Sequence, residues 1–116
     1  MHDENCLFCK IIRGEIPSEK VFEDDKIYCF KDINPAAPQH ILIIPKIHIE
    51  SLDAMEDQHK GLFGEIMFRA SQLAKELGFN KEGYRVVANT NDFGGQTVHH
   101  FHLHLIGGRK LTWPPG

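Results

Sequence analysis

The amino-acid sequence predicts an α+β domain with one long and one short helix, in which the long helix covers an antiparallel sheet of about five strands. The chain has 116 residues, a common size for one domain, so we expect a single domain over 1–116. Short β-prone runs outnumber the helical segments, and the short connections between them favour antiparallel pairing. Apolar residues in one long segment recur at steps of three and four, which indicates an amphipathic helix.

The N-terminal half is predicted to contain the short helix and three strands. Over 8–15 the apolar residues Phe8, Ile11 and Ile12 have helical spacing, and Gly14 favours the end of this helix. Two prolines require a loop before the third strand, because each proline removes a backbone donor. The strands are expected at 20–23, 27–31 and 40–45.

The C-terminal half is predicted to contain the long helix and two strands. Apolar positions between Met55 and Leu77 form one stripe, and Gly78 closes this helix. In the last strand, histidines alternate with apolar residues, and a period of two is typical of a strand. The strands are expected at 84–88 and 98–107, with a polar loop that contains glycine at 89–95 between them.

The composition argues against several classes of partner. The net charge is −3 and the basic residues are scattered, so we expect no nucleic-acid partner. No run approaches the roughly 20 apolar residues of a membrane span, and the N-terminus lacks the basic and apolar regions of a signal peptide. Three cysteines cannot all pair within one chain, which favours free thiols or a metal. We therefore expect a cytoplasmic protein with a small-molecule partner and no membrane.

Three histidines stand at alternate positions of the last predicted strand. His100, His102 and His104 therefore share one face of the sheet, and the apolar residues between them share the other. A neutral imidazole has a lone pair that can attack phosphorus without a second base. If a backbone carbonyl accepts from Nδ1, the nucleophile is Nε2. A catalytic zinc ion bound by the three histidines is an alternative that alternation alone does not exclude.

The loop before this strand has the composition of an anion-binding segment. Residues 89–97 combine side-chain donors with Gly94 and Gly95, whose missing Cβ atoms let backbone N–H groups approach an anion closely. The same residue types are also typical of an ordinary turn. The loop therefore indicates a phosphate site only in combination with the histidines.

Together these residues resemble the histidine-triad (HIT) superfamily. The segment 100–106, His-Phe-His-Leu-His-Leu-Ile, matches the pattern of three histidines alternating with apolar residues. The similarity covers nearly the whole chain, and Trp-Pro-Pro-Gly at 113–116 points to the Hint branch. Further matching segments are Phe-Glu-Asp-Asp at 22–25, Asp-Ile-Asn-Pro at 32–35, residues 40–49, residues 94–98 and Gly-Gly-Arg at 107–109.

The resemblance implies a HIT-like fold whose sheets join edge to edge in a homodimer. It also implies hydrolysis of purine nucleoside 5'-phosphoramidates to AMP or GMP and an amine, through a nucleotidyl-histidine intermediate and without a catalytic cofactor. His102 would be the nucleophile, and His104 would contact the phosphate and assist the departing amine. His40 would support the nucleophile, and His100 would hold the orientation of the triad. The alternatives are a nucleotide-binding interaction module with little catalysis and another nucleotide hydrolase of the superfamily.

By the same resemblance, further residues would bind the nucleotide. Asp32 would accept both ribose hydroxyls, because a carboxylate offers two acceptors to a diol. Gly95 and Thr97 would donate to the phosphate, and Asn89 would lie near the sugar and phosphate. The apolar slot for the base would consist of Phe8, Ile11, Phe30 and Ile33.

A cysteine pair at the start of the first helix predicts a structural zinc site. Cys6 and Cys9 can supply two thiolates, and His48 with one further histidine can complete a tetrahedral site. In related bacterial HIT proteins and transferases the corresponding positions surround a structural zinc, which makes His100 the fourth ligand. The alternative is that both cysteines are small buried apolar groups. Cys29 is predicted to lie in the core.

Overall fold

The computed structural model of the protein describes residues 5–116. Its helices are α1, Leu7–Ile12; α2, Lys60–Glu76; and α3, the short Asn91–Gly94. Its strands are β1, Lys20–Glu23; β2, Ile27–Lys31; β3, Gln39–Pro45; β4, Tyr84–Val87; and β5, Leu103–Gly107. Two 3-10 turns, Leu52–Ala54 and Asp57–His59, precede α2. None of the described helices combines the length and the apolar character that crossing a membrane requires.

All five strands form one antiparallel sheet in the order β1-β2-β3-β5-β4. The last strand therefore lies between β3 and β4, where His104 pairs with Leu42 on one side and Val87 on the other. On β3, His40 pairs with Ile106 of β5. The predicted α+β class, with five antiparallel strands and one long helix, is confirmed.

Helix α2 covers one face of the sheet. Its buried residues recur at steps of three and four, as the amphipathic pattern predicts, and they join apolar residues of the central strands in one cluster. Because this layer is closely packed, it holds β3 and β5 in a fixed position. The central members of the cluster are Ile41, Ile43, Ile66, Ala70, Leu73, Ala74, Leu103 and Leu105.

Helix α1 covers part of the opposite face. Phe8, Cys9 and Ile11 are its buried residues, and they pack against aromatic and aliphatic residues of β2 and β3. The helix begins after Cys6, whose sulfur accepts a hydrogen bond from the Cys9 N–H. Leu103 and Leu105 point toward α2, so His104 between them points toward the α1 face. The candidate site therefore lies on this second face.

Several helix and loop boundaries differ from those predicted. Helix α1 ends at Ile12 rather than at 15, because Gly14 adopts a left-handed conformation with φ of 79°. Helix α2 begins at Lys60 rather than at Met55, because the preceding residues form the two 3-10 turns. The predicted loop 89–95 contains the short helix α3.

The last strand begins at Leu103 rather than at 98, so His100 and His102 precede it. In this segment the carbonyl of His100 accepts a hydrogen bond from the side chain of His102. Such local bonds compete with ladder pairing. The alternation of faces continues before the strand, because Phe101 is buried in the α2 cluster. The prediction of a strand over 98–107 was therefore wrong for its first half.

Candidate active site

The His102 side chain is held in one orientation by the backbone. It is buried, and its Nδ1 donates to the carbonyl oxygen of His100 at 2.7 Å. The Phe8 ring packs edge-on against the imidazole with 5.1 Å between centroids. Burial lowers the pKa of His102, although the His100 carbonyl and the Asp32 charge partly oppose this effect. The imidazole is therefore neutral at pH 7, with its lone pair on Nε2.

Hydrogen bonds also determine the tautomers of His40 and His104. The Ala36 N–H donates to His40 Nδ1 at 3.0 Å, so the proton of His40 is on Nε2. That nitrogen lies 2.9 Å from His104 Nδ1 and donates to it, which places the His104 proton on Nε2. Burial is the main reason that the pKa of His104 is lowered to about 4, with smaller effects from His102 and His40. Burial also lowers the pKa of His40.

Asp32 follows β2 and has a partly exposed carboxylate beside the histidines. Its Oδ1 accepts from the Asn34 N–H at 2.8 Å, and its Oδ2 lies 3.5 Å from His40 Nε2. Lone pairs on the exposed side of the carboxylate can still accept from a ligand. The position after β2 and next to β3 brings this acid to the side of the triad where α1 packs.

Three of the four residues predicted for the base slot lie together. Phe8, Ile11 and Phe30 are buried in one cluster, and the rings of Phe8 and Phe30 meet edge-to-face at 5.4 Å. By contrast, Ile33 is 90% exposed in the loop after β2. The structure therefore assembles an apolar wall from α1 and β2 and leaves Ile33 in solvent.

The predicted phosphate loop is braced by a residue that sequence reasoning did not single out. Gln96 is buried; its Oε1 accepts from the Asn91 N–H, and its Nε2 donates to the carbonyls of Glu50 and Val98. The flanking Gly95 has a left-handed φ of 82°, and Thr97 is exposed. No spacing rule distinguishes a bracing glutamine from the other polar residues of a loop. Asn89 is half-buried at the β4 end of this loop.

The four predicted zinc ligands converge in one cluster. The ligand atoms of Cys6, Cys9, His48 and His100 all lie within 4.8 Å of one another. The Nδ1 atom of His100 is 3.3 Å from Cys6 Sγ and 3.5 Å from Cys9 Sγ, and Cys9 Sγ is 3.5 Å from His48 Nδ1. Tetrahedral zinc with ordinary bond lengths requires sulfur-to-nitrogen distances of about 3.5 Å. The chain therefore fits a Cys2His2 zinc site.

The surroundings of this cluster support the same fit. His100 Nε2 donates to the carbonyl of Pro45 at 2.8 Å, which leaves Nδ1 with the lone pair that a metal needs. Without a metal, burial raises the pKa of the Cys6 thiol to about 11, so a binding cation would displace its proton. His100 thus faces the cysteines and does not point toward the phosphate side of His102.

The alternative of one catalytic zinc on His100, His102 and His104 does not fit this arrangement. In residues 5–116, the groups that can converge on an ion are the Cys2His2 cluster and Asp32 with His40 and His104, and neither contains His102. In the second group the two ring nitrogens are 2.9 Å apart, a hydrogen-bond distance, whereas two nitrogen ligands of tetrahedral zinc lie about 3.3 Å apart. The geometry therefore does not support one zinc ion bound by all three histidines.

Residues 13–111 match the HIT domain family, which is most of the chain. The chain belongs to the HIT family. Its fold agrees with that assignment, since a HIT family hydrolase from Legionella pneumophila superposes with a TM-score of 0.95 at 54% identity. This similarity covers 97% of the present chain and 100% of the Legionella chain.

Two plant relatives of this HIT protein have descriptions that bear on its site. A 14 kDa zinc-binding protein of Zea mays is 47% identical in an alignment 118 residues long, which covers 100% of this chain and 91% of the maize protein. The adenylylsulfatase HINT1 of Arabidopsis thaliana is 47% identical over 116 residues, which cover 98% of this chain and 78% of that protein. The family assignment therefore rests on nearly full-length similarity.

Proposed function

We propose that this HIT protein hydrolyses purine nucleoside 5'-phosphoramidates to AMP or GMP and an amine, through a nucleotidyl-His102 intermediate. The observation that carries the proposal is the 2.7 Å hydrogen bond from His102 Nδ1 to the His100 carbonyl, which leaves Nε2 as a fixed, neutral nucleophile. The hydrolase description of the Legionella neighbour and the adenylylsulfatase description of the plant relative support attack on a nucleotide α-phosphate.

In the first step, His102 Nε2 attacks the α-phosphorus and the bond from phosphorus to nitrogen breaks. Negative charge on the bound phosphate counteracts the effects that lower the pKa of His104, so the complex favours a protonated His104. Because His104 then carries a proton on Nδ1 as well, His40 exchanges its Nε2 proton for one on Nδ1, gives up the bond from the Ala36 N–H and accepts from His104 Nδ1. His104 then transfers its proton to the leaving nitrogen, and the amine departs uncharged. His40 orients His104 through the bond between their rings.

In the second step, water attacks the phosphorus of nucleotidyl-His102. The water proton passes to His104, which is the neutral base after the first step, and His102 leaves as a neutral imidazole. Both histidines return to their starting states, so the two steps balance. Because no step uses a metal, we propose that catalysis requires no cofactor.

Zinc at Cys6, Cys9, His48 and His100 would cross-link α1 to the segments after β3 and before β5, and would contribute to folding rather than to bond cleavage. The maize relative, which is a zinc-binding protein, supports metal binding by this chain. We also propose a cytoplasmic location, since the thiolates that this zinc site needs at Cys6 and Cys9 stay reduced in that compartment.

We also propose that two chains form a homodimer, and the edge strand β4 supports this proposal. It pairs with β5 on one side, and within residues 5–116 no strand pairs with its other side. An unpaired edge is a template for a second copy. Light scattering during size-exclusion chromatography should give twice the mass of one chain, and a mass of one chain would contradict the proposal.

The central test is hydrolysis of an adenosine 5'-phosphoramidate by the native protein and by His102→Ala, each with and without a chelator. We expect turnover by the native protein in chelator, loss of at least about 1000-fold in His102→Ala, and a nucleotidyl adduct in intact-mass spectra after a substrate pulse. His99→Ala, which changes an exposed neighbour, should keep full activity.

Other outcomes would select other functions. If His102→Ala keeps its activity, His102 is not the nucleophile. If the folded native protein binds AMP but does not turn over any phosphoramidate, it is a nucleotide-binding module. Adenosine 5'-phosphosulfate should be tested in parallel, because the plant relative is described as an adenylylsulfatase and sulfate would leave from the same phosphorus.

A further inference from the structure

A cavity of about 570 Å³ lies at β4 and the end of β5; no triad histidine lines it, but its lining residue Val87 pairs with His104 in the sheet. It is lined by Arg85 and Val87 of β4 and by Ile106 of β5. Val87 pairs with His104, and Arg85 pairs with Ile106, so these residues follow the same face of the sheet away from the triad. Asn89 lines the cavity as well. The cavity therefore continues the candidate active site.

Two arginines make this cavity electropositive. Arg85 and Arg109 line it and no aspartate or glutamate side chain does; Gly116, the last residue of the sequence, also lines it and brings one main-chain carboxylate, which leaves one positive charge in excess. Arg109 donates to the carbonyls of Ala36 and Lys110, and Arg85 donates to that of Thr112. These bonds leave several of the five N–H donors of each guanidinium available. Among the ion pairs of residues 5–116, none joins either arginine to a carboxylate, although the chain has a net charge of −3.

The strand order gives the cavity its place relative to a bound nucleotide. The apolar wall of Phe8 and Phe30 lies at α1 and β2, Asp32 follows β2, and the histidines lie at β3 and β5. A nucleotide with its base at the apolar wall and its ribose at Asp32 places its 5'-phosphate at the triad. The leaving group attached to that phosphate then extends over β5 and β4. Neighbouring strands are about 4.8 Å apart, so a short leaving group reaches the cavity.

We propose that this cavity binds the leaving group and selects for one with an anionic group, such as a carboxylate or a sulfate, near the scissile bond. This inference rests on the proposed function, since it assigns the substrate class of the same site. Guanidinium groups bind such oxyanions through paired, charge-assisted hydrogen bonds. The amine product would then be one that carries an acid group rather than a simple alkylamine.

A purely structural role of the arginines makes a different prediction. Arg85 lies over the Trp113 ring at 5.9 Å and bonds Thr112, so it also holds the C-terminal segment, whereas Arg109 also holds the loop that contains Ala36. If holding these two segments is their whole role, replacing the arginines affects neutral and anionic leaving groups equally. The test is therefore the ratio of two substrates and not the activity on one.

The experiment compares kcat/KM for the adenosine 5'-phosphoramidates of glycine and of glycinamide, which differ in one charge. We expect the native protein to prefer glycine by at least about tenfold, the lower end of what one charge-assisted hydrogen bond contributes. Arg85→Gln and Arg109→Gln keep amide donors but remove the charge, so each should reduce this ratio toward one. Lys110→Gln removes a charge from an exposed neighbour that does not line the cavity, and it should leave the ratio unchanged.

A second set of measurements separates failure of this proposal from failure of the proposed function. Titration calorimetry on His102→Ala gives the Kd of both intact phosphoramidates without turnover, and the same ratio should appear there. No preference for glycine in this background, or equal losses for both ligands in the arginine variants, would overturn the proposal. If the native protein does not turn over either substrate but His102→Ala still binds the glycine phosphoramidate more tightly, only the proposed reaction is overturned.

Adenosine 5'-phosphosulfate distinguishes the two anions. If the arginine variants lose activity on the sulfate and on the glycine substrate, the cavity accepts oxyanions generally, and a loss on one of them identifies that anion. Light scattering on each variant shows whether the oligomeric state is unchanged, so that a change in assembly is not mistaken for a change in selectivity.

Discussion

The His102 imidazole has its free lone pair on the nitrogen that faces away from the backbone, because Nδ1 is occupied by the His100 carbonyl. The His40 and His104 rings are ordered by a similar bond, which begins at the Ala36 N–H. Each histidine is therefore limited to one tautomer. In the proposed reaction His102 is the neutral nucleophile, and His104 carries the proton once a bound phosphate favours its protonated form.

Asp32→Asn tests the ribose assignment at the residue scale. The amide keeps the shape of the side chain but removes the charge and one acceptor, so kcat/KM for an adenosine 5'-phosphoramidate should fall about 10- to 100-fold. The 2',3'-dideoxy substrate lacks both hydroxyls, and its rate should change by less than about threefold. Equal losses on both substrates would instead assign Asp32 to the histidines, since it lies 3.5 Å from His40 Nε2.

At the scale of elements, α1 connects the two parts of the site. Cys6 and Cys9 belong to the Cys2His2 cluster, whereas Phe8 between them packs against His102 at 5.1 Å. The helix has only six residues, too few to be stable alone, so its position depends on what it packs against. A metal that joins it to His48 and His100 would therefore stabilise the apolar wall as well.

Replacing both cysteines tests this dependence. Cys6→Ser/Cys9→Ser should reduce bound zinc, measured by plasma mass spectrometry, from about one ion per chain to none, and should lower Tm by about 5–10 °C. Cys29→Ser is the matched control, because Cys29 is also a buried thiol but lies outside the cluster. Zinc that remains bound in the double variant would contradict the site.

For the whole molecule, buried histidines make stability depend on pH. Burial lowers the pKa of His40 and of His102, and it is the main cause that lowers the pKa of His104 to about 4. In the unfolded chain these groups titrate near about 6.5. Between the two values the unfolded state binds more protons, so stability is lost as pH decreases through this range.

Urea denaturation at several pH values measures this effect. We expect the free energy of unfolding to fall by about 1–3 kcal/mol between pH of about 6.5 and pH of about 4. In His104→Gln the free energy of unfolding should depend less steeply on pH, because the glutamine side chain does not titrate. The same replacement at the exposed His99 is the matched control for the loss of one imidazole. A slope in His104→Gln equal to that of the native protein would show that His104 is not responsible.

Local patterns of the chain determined much of the fold. The α2 stripe, the first three strands and the opposite faces of the histidines and their apolar neighbours follow from periods of 3.6 and two, which are properties of the backbone itself. Those periods do not say where pairing begins. The hydrogen bond from the His102 side chain to the His100 carbonyl competes with strand pairing. The later start of the last strand, at Leu103, therefore could not be predicted from the period of two.

Other features were decided only by the tertiary structure. His40 meets His104 across 64 positions, and Cys6 meets His100 across 94, because strand order and packing bring them together. The bracing by Gln96 and the cavity of Arg85 and Arg109 have no periodic pattern at all. By itself the sequence determined which side chains share a face. The folded chain alone determined which of them touch, because contacts between distant positions depend on the packing of whole elements.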